Sequence, residues 1–233
     1  MSTAITLLKQ LFPSKCLLCC TSLINTEQYC CSACNDYLPH ITLACGKCST
    51  TLTTTQELCG FCLSTQRHWE MCISPFIYKD PLPELIHRFK YQHNTIALNF
   101  FTKFILQAVK DSDTEMPNFL TYVPSHPKRF IERGYNQSLL LTQSLSKATN
   151  IPYISAFDKV IFSQQQTSLN KKGRNIAPKN TFQIKNAVKE IIQQKHIAII
   201  DDVVTTGSTS TELAKILKSA DANRVDVWCI ART

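Results

Sequence analysis

An α/β fold with a parallel sheet, set behind a cysteine-rich amino-terminal module, is the class this sequence predicts, and three observations predict it. The segment Ile197-Ala-Ile-Ile-Asp-Asp-Val-Val-Thr-Thr-Gly-Ser-Thr209 reads as a buried strand, a pair of carboxylates and a small-residue loop opening a helix. Four apolar residues in a row, Ile197 to Ile200, suit a parallel strand covered on both faces, where side chains on either side must be apolar. Ten of the twelve cysteines fall within residues 16 to 62, which separates them from that strand. After Cys72 the composition turns from Cys/Thr-rich to aromatic and aliphatic, so a boundary near residues 65–75 divides the chain into 1–72 and 73–233.

The cysteines come first. Cys16-x2-Cys19, Cys31-x2-Cys34, Cys45-x2-Cys48 and Cys59-x2-Cys62 are four CxxC knuckles forming an internal repeat, with offsets of 29 residues between the leading pairs and 28 between the trailing ones. Thiolates gathered by such knuckles fit tetrahedral zinc, with Zn–S bonds of about 2.3 Å. Two sites follow, one of Cys16, Cys19, Cys31 and Cys34, the other of Cys45, Cys48, Cys59 and Cys62. Four thiolates close the coordination sphere, so about two structural zinc ions are expected rather than a catalytic one. They replace a core that so short a module cannot build from apolar side chains. Cys20 and Cys30 offer the alternative spacings Cys16-x3-Cys20 and Cys30-x3-Cys34, but the repeat favours Cys19 and Cys31. His68, next to Arg67, reads as a surface histidine, since eight cysteines already complete two sites. Cys72 and Cys229 read as buried thiols. The zinc module is expected to fold separately, so that replacing Cys45 unfolds it and leaves ligand binding elsewhere intact.

Residues 81–91 place Leu82, Leu85, Ile86 and Phe89 at i, i+3, i+4, i+7, an amphipathic helix with Pro81 and Pro83 in its first turn and His87, Arg88 and Lys90 on its other side. A second helix covers Ala97 to Val109, and a polar linker runs from Lys110 to Asn118. Phe119 to Val123 is the next strand, Pro124-Ser-His-Pro-Lys-Arg129 the loop at its carboxyl end, and Arg133-Gly-Tyr-Asn-Gln137 the lead into a helix ending near Lys147. Asp201 and Asp202 fall at the carboxyl end of the 197–200 strand, where open α/β sheets bind ligands. Thr205, Thr206, Gly207, Ser208 and Thr209 can surround a phosphate at the start of a helix near Ser210, with Gly207 free to take positive φ.

Charge supports an anionic partner. The chain carries a formal +8, concentrated in residues 119–182, where nine Lys/Arg face two acids, while residues 1–72 hold four of each sign. A basic middle suits pyrophosphate or nucleic acid, and Tyr91 or Tyr135 is expected to lend a base a stacking surface. No run approaches the roughly 18 apolar residues of a membrane span, and Ala4 to Leu8 is too short for a secretory core. The expected protein is not integral to a membrane and is cytoplasmic, free or peripheral at the inner face of the membrane.

The 197–209 segment closely resembles the phosphoribosyl-pyrophosphate (PRPP) signature of type I phosphoribosyltransferases. The resemblance implies that Asp201 and Asp202 bind the ribose 2- and 3-hydroxyls and can stabilise a developing cationic sugar. It also implies that Thr205, Thr206, Gly207, Ser208 and Thr209 hold the 5-phosphate, with Mg2+ accompanying PRPP. In those enzymes the loop after the earlier strand binds pyrophosphate, and the resembling segment here carries Ser125, Lys128, Arg129 and Arg133.

Together, the four knuckles, Tyr78-Lys-Asp-Pro-Leu-Pro-Glu-Leu-Ile86 with Lys90, Glu132-Arg-Gly-Tyr-Asn-Gln137, Asp201 through Thr209 and Ala231-Arg232-Thr233 resemble the ComF family. That resemblance implies a zinc ribbon joined to a phosphoribosyltransferase-like domain that binds PRPP. It further implies a role in uptake or handling of single-stranded DNA during natural transformation, with DNA-uptake or recombination proteins as partners and phosphoribosyl transfer to an unknown acceptor as a possible activity. Another branch is linked by name to gluconate utilisation. Two alternatives remain at this level: a nucleotide-salvage phosphoribosyltransferase acting on a free base, and a non-catalytic nucleic-acid-binding adaptor. Between residues 160 and 182 the family pattern is only partly kept, with Gln166, Leu169, Arg174 and Phe182 matching and Ile161, Ser163 and Ala177 departing. A flexible loop carrying Lys171, Lys172 and Arg174 is expected there as a cover over the site. No acid occurs between Asp158 and Glu190, so this loop offers cations and no carboxylate base.

Overall fold

The computed structural model describes residues 15–23, 29–91, 94–125, 131–132, 134–159 and 181–233. The cysteine repeat of the sequence is a structural repeat. In each unit a bridge closes a hairpin around the first knuckle, Lys15↔Ser22 and then Ala44↔Thr51. The second knuckle of each unit opens a short helix, α1 (Ser32–Tyr37) after Cys31 and α2 (Gly60–Ser64) after Cys59.

Strands β1 (Met71–Ile73) and β2 (Phe76–Ile77) follow, the first lying on the composition boundary. Helix α3 (Leu82–Tyr91) buries the anticipated stripe of Leu82, Leu85, Ile86 and Phe89. Helix α4 (Thr95–Asp111) is longer at both ends than the expected 97–109, because the Asn94 side chain accepts from the Ile96 and Ala97 amides and starts it early. After β3 (Phe119–Tyr122), α5 (Gln137–Thr149) is capped by Asn136, which accepts from Ser138 and Leu139, and is ended by Asn150 at φ 60°. Strands β4 (Phe157–Lys159) and β5 (Phe182–Ile184) pair antiparallel, and α6 (Asn186–Ile192) leads to β6 (His196–Val204), α7 (Ser208–Ser219) and β7 (Arg224–Arg232). Helix α7 starts at Ser208 rather than near Ser210, since Gly207 at φ 76° turns the extended chain directly into it.

The main sheet is parallel, in the order β1-β7-β6-β3, with β2 also on β7. Its fold class is the α/β parallel sheet that the sequence predicts, with two cysteine knuckle units ahead of it. Strand β6 shows why a continuous apolar run was needed. Ala198 and Ile200 enter a core with Leu85, Phe89, Phe100, Ile105 and Leu141, while Ile197 and Ile199 enter a second core with Ile192, Leu213 and Leu217. A polar residue at any of these four positions would lie under helices with no water to bind. Because the strands are parallel, their carboxyl ends share one edge, and that edge carries the polar residues of interest. Among the described residues no helix is long and apolar enough to cross a membrane.

Candidate sugar-phosphate site and metal centres

Asp201 and Asp202 lie within the last turns of pleat of β6, Asp201 opposite Cys229 on β7. They floor a cleft of about 260 Å³ that is also lined by Ser125, Ser138, Lys159, Phe182 and Thr209. Larger hollows lie elsewhere among the described residues, one of about 520 Å³ between the second knuckle unit and α4, away from the acid pair. Three segments converge on it. The Asn136 side chain caps α5 and donates to Val123 O at 3.1 Å, holding the start of α5 against the end of β3. Tyr135 Oη donates to Phe89 O at 2.7 Å and Gln137 Nε2 to Lys90 O at 3.4 Å, tying the same loop to the carboxyl end of α3. Lys90 is thereby presented to Asp202, with Nζ 2.7 Å from Oδ2 in a half-buried ion pair.

Asp201 has a different environment from its neighbour. Burial first, and the adjacent Asp202 carboxylate second, push its pKa up to about 8, while the Asp202 amide, Lys90 and Ser138 oppose the shift. The Asp202 amide donates to Asp201 Oδ1 at 2.8 Å and Ser138 Oγ to the same atom at 3.4 Å. The pair therefore offers one carboxyl that holds a proton near neutral pH beside one that is matched to a cation.

The turn after β6 heads α7. Thr205, Thr206 and Ser208 are exposed and Thr209 half-buried, whereas Gly207 is buried. Thr206 Oγ1 accepts from the Ser208 amide at 3.3 Å, and Gly207 brings no side chain to cap the helix, which leaves the following first-turn N–H groups to another acceptor. A Cβ on Gly207 would stand 2.4 Å from Arg67 Nη1 and 2.7 Å from Trp69 Cη2, so this glycine is required by close approach as well as by φ.

Of the residues expected at the pyrophosphate, Ser125 lines the cleft, and Lys128, Arg129 and Arg133 lie outside the described residues. Lys171, Lys172 and Arg174 also lie outside them; the flanking Lys159 and Phe182 both line the cleft. One expectation needs correction. Tyr135 is 9% exposed with its hydroxyl bonded to Phe89 O, so its ring is spent on holding the loop and cannot stack on a base, whereas Tyr91 is exposed.

The eight knuckle cysteines form the two expected sets, Cys16, Cys19, Cys31 and Cys34, and Cys45, Cys48, Cys59 and Cys62, with the sulfurs of each within 4.8 Å of one another. Tetrahedral bonds of about 2.3 Å imply sulfur–sulfur edges of about 3.8 Å. The Cys19–Cys31 and Cys48–Cys59 separations are 3.7 and 3.6 Å, close to that edge, so the donor sets suit tetrahedral zinc. Each set also divides its acidity. Donors from Thr21 bring Cys19 down to about 6, while burial and the neighbouring thiols raise Cys34. In the second set burial opposes ionisation of Cys48, but Thr50 brings it to about 6, and burial and Cys48 push Cys62 up to about 12. Such splitting is what clustered thiols do until a cation shares their charge. Neither Cys20, Cys30 nor His68 belongs to either set. Cys72 and Cys229 are buried in the sheet.

Sequence reasoning missed the roles of Lys90, Ser138, Arg67 and Arg232. Lys90 was one of three polar-face residues on its helix, and nothing in a single sequence marks which of them meets a carboxylate from a strand more than a hundred positions away.

No protein-family model matches the chain. It is 30% identical to Competence protein F of Haemophilus influenzae over 226 residues, covering 95% of this chain and 98% of that one. It is 31% identical, with the same coverage, to DNA utilization protein YhgH of Escherichia coli K12. Among solved structures, adenine phosphoribosyltransferase from Thermoanaerobacter pseudethanolicus is similar over 60% of this chain and 83% of that one, at 11% identity and a TM-score of 0.40. With relatives matched from end to end at this identity, the chain belongs to the ComF family.

Proposed function

We propose that the cleft binds PRPP, with the ribose hydroxyls on Asp201 and Asp202, the 5-phosphate in the turn of Thr205, Thr206, Gly207, Ser208 and Thr209, and the pyrophosphate toward Ser125. The observation that carries this reading is the meeting, in one cleft at the carboxyl edge of a parallel sheet, of an acid pair and a glycine-headed helix start. The asymmetry of the pair fits the ligand. A vicinal diol both donates and accepts, and so matches a carboxyl whose pKa is pushed up beside one that is paired with Lys90. Mg2+ bound with PRPP supplies charge neutralisation at its phosphates and retains most of its waters, so few protein ligands are required. Each four-cysteine set holds a structural zinc in this reading, and the thiolate geometry supports it.

The biological role we infer is assistance to uptake or handling of DNA in natural transformation, supported by relatives named for competence and for DNA utilisation and by a net charge of +8. Single-stranded DNA is the partner, held by the basic middle of the chain in a salt-sensitive manner. Calorimetry with PRPP and Mg2+ tests the site. Losing the carboxylate hydrogen bonds in Asp201→Ala/Asp202→Ala should weaken binding at least about tenfold, at roughly 1.5–3 kcal/mol per charged bond. An unchanged affinity in the folded double variant rules the assignment out. Pyrophosphate release measured with single-stranded DNA, with free nucleobases and with neither then separates phosphoribosyl transfer to DNA, base salvage and a non-catalytic adaptor.

A further inference from the structure

The second cysteine set does not stand apart from the cleft. Arg67 follows Cys62 by five residues and is 6% exposed, with its guanidinium between the rings of Phe61 and Trp69 at 4.7 Å from each centroid. Its Nη1 donates to Thr206 O at 3.0 Å, and its Nε is buried without a hydrogen-bond partner. The same guanidinium lies beside the Cys62 thiol. Arg232, 7% exposed, donates from Nε to Cys48 O at 3.0 Å and from Nη1 to Val204 O at 3.0 Å and to Thr205 O. Trp69 Nε1 completes the seam by donating to Lys47 O at 3.1 Å, inside the second unit's first knuckle. Two buried arginines thus join the backbone of one thiolate set to three successive carbonyls of the phosphate turn.

Charge makes the connection more than mechanical. A buried guanidinium without a counter-charge is costly. Among the described residues no Asp or Glu side chain forms an ion pair with Arg67, and the group of the second set that it meets is the Cys62 sulfur. Four thiolates around a divalent ion carry a net −2 and supply that counter-charge. The first set has no equivalent contact: its module meets Arg88 Nη1 through Leu17 O at 3.5 Å and packs Leu17, Leu18 and Tyr29 against the α3–α4 core.

We propose that Arg67 and Arg232 are positioning residues that fix the 205–207 turn on the second thiolate set, so that metal occupancy of that set governs affinity for the sugar phosphate. This rests on the sugar-phosphate reading of the cleft, and it departs from the expectation that losing Cys45 leaves ligand binding intact. The test is made on the intact chain with ribose 5-phosphate and with PRPP plus Mg2+. Arg67→Lys keeps the charge but loses the planar fork and its stacking. It should retain two zinc equivalents and a cooperative folding transition at a lowered melting temperature, and bind both ligands about tenfold more weakly. Cys62→Ser should weaken binding at least as much, whereas Cys19→Ser, in the first set, should leave the 205–207 turn undisturbed. Amide resonances of Thr206 and Gly207 provide a measurement independent of ligand: they should move on loss of metal from the second set and stay on loss from the first. Wild-type affinity in Arg67→Lys together with unmoved amides in Cys62→Ser, or in metal-stripped wild type should that variant fail to fold, overturns the proposal. If the wild-type protein binds neither ligand, the sugar-phosphate reading is what fails, and the amide signals alone decide the coupling.

Discussion

Replacing Gly207 by alanine probes the packing of the turn after β6 with one methyl group. The new Cβ would lie 2.4 Å from Arg67 Nη1 and 2.7 Å from Trp69 Cη2, distances that real carbon contacts do not reach. It would also sit at φ 76°, which costs an L-residue roughly 1–2 kcal/mol. An exposed arginine would swing away. Arg67 cannot do so without giving up its bond to Thr206 O, worth about 1.5–3 kcal/mol for a charged donor, and its stacking on Trp69, worth about 0.5–2 kcal/mol. Destabilisation of at least about 3 kcal/mol follows if all three are lost, or roughly 6–12 °C in melting temperature for a chain of this size. Calorimetry with ribose 5-phosphate should show at least tenfold weaker binding in the protein that remains folded. A cycle with Arg67→Ala isolates the cause. Removing the nearest obstacle should reduce the cost of Gly207→Ala, so the two changes together should cost less than their separate effects combined. Simple additivity, or a Gly207→Ala protein with wild-type melting and affinity, would refute the packing of this turn against Arg67.

Two further outcomes follow from the metal sets and the acid pair. Elemental analysis of reduced protein should give about two zinc per chain, and one equivalent or none would remove a site. For Asp201, whose pKa is about 8 in the fold against 3.8 ordinarily, the folded state keeps a proton that the unfolded chain has lost between those values. Its contribution to stability is therefore complete below about pH 4 and lost as pH rises through about 8, so the wild-type advantage over Asp201→Asn in denaturant should shrink from pH 5 to pH 8.5. Lys90→Met, which removes the cation 2.7 Å from Asp202, should carry the Asp201 titration higher still, read by carboxyl 13C shifts.

Much of this site was legible in the sequence because its signals are local. The run Ile197–Ile200 specifies a doubly covered strand, Asp201 and Asp202 must then emerge at its carboxyl end, and Gly207 must turn the chain, all within thirteen consecutive residues. The knuckles are local in the same way, since each CxxC fixes two sulfurs and the 29- and 28-residue offsets tell which pairs belong together. What escaped has its cause in long-range packing. The Lys90–Asp202 pair spans 112 positions and Arg67–Thr206 spans 139, and no periodicity reports either. Tyr135 was misjudged for a related reason: an aromatic next to a glycine in a basic loop looks available, but the Phe89 carbonyl at the end of α3 needs a donor and takes its hydroxyl.

The two knuckle units lie against different elements beside the acid pair, the first against α3 and α4 and the second against the turn after β6. Helix α3 has ten residues, too few to persist by propensity alone, and depends on its packing. The first unit lays Leu17, Leu18 and Tyr29 against the core shared by α3 and α4, and this fixes the helix whose last turn presents Lys90 to Asp202. The second element is the turn after β6, where Thr206 O accepts from Arg67 and the carbonyls of Val204 and Thr205 accept from Arg232, whose Nε donates to Cys48 O in the second unit. With those carbonyls paired, the peptides of the turn have a fixed orientation. A turn whose carbonyls faced solvent would be free to rotate its peptides. Zinc in each set would suit the task, because a closed thiolate set is rigid at a size where an apolar core is not, and both elements would then be positioned before any ligand binds.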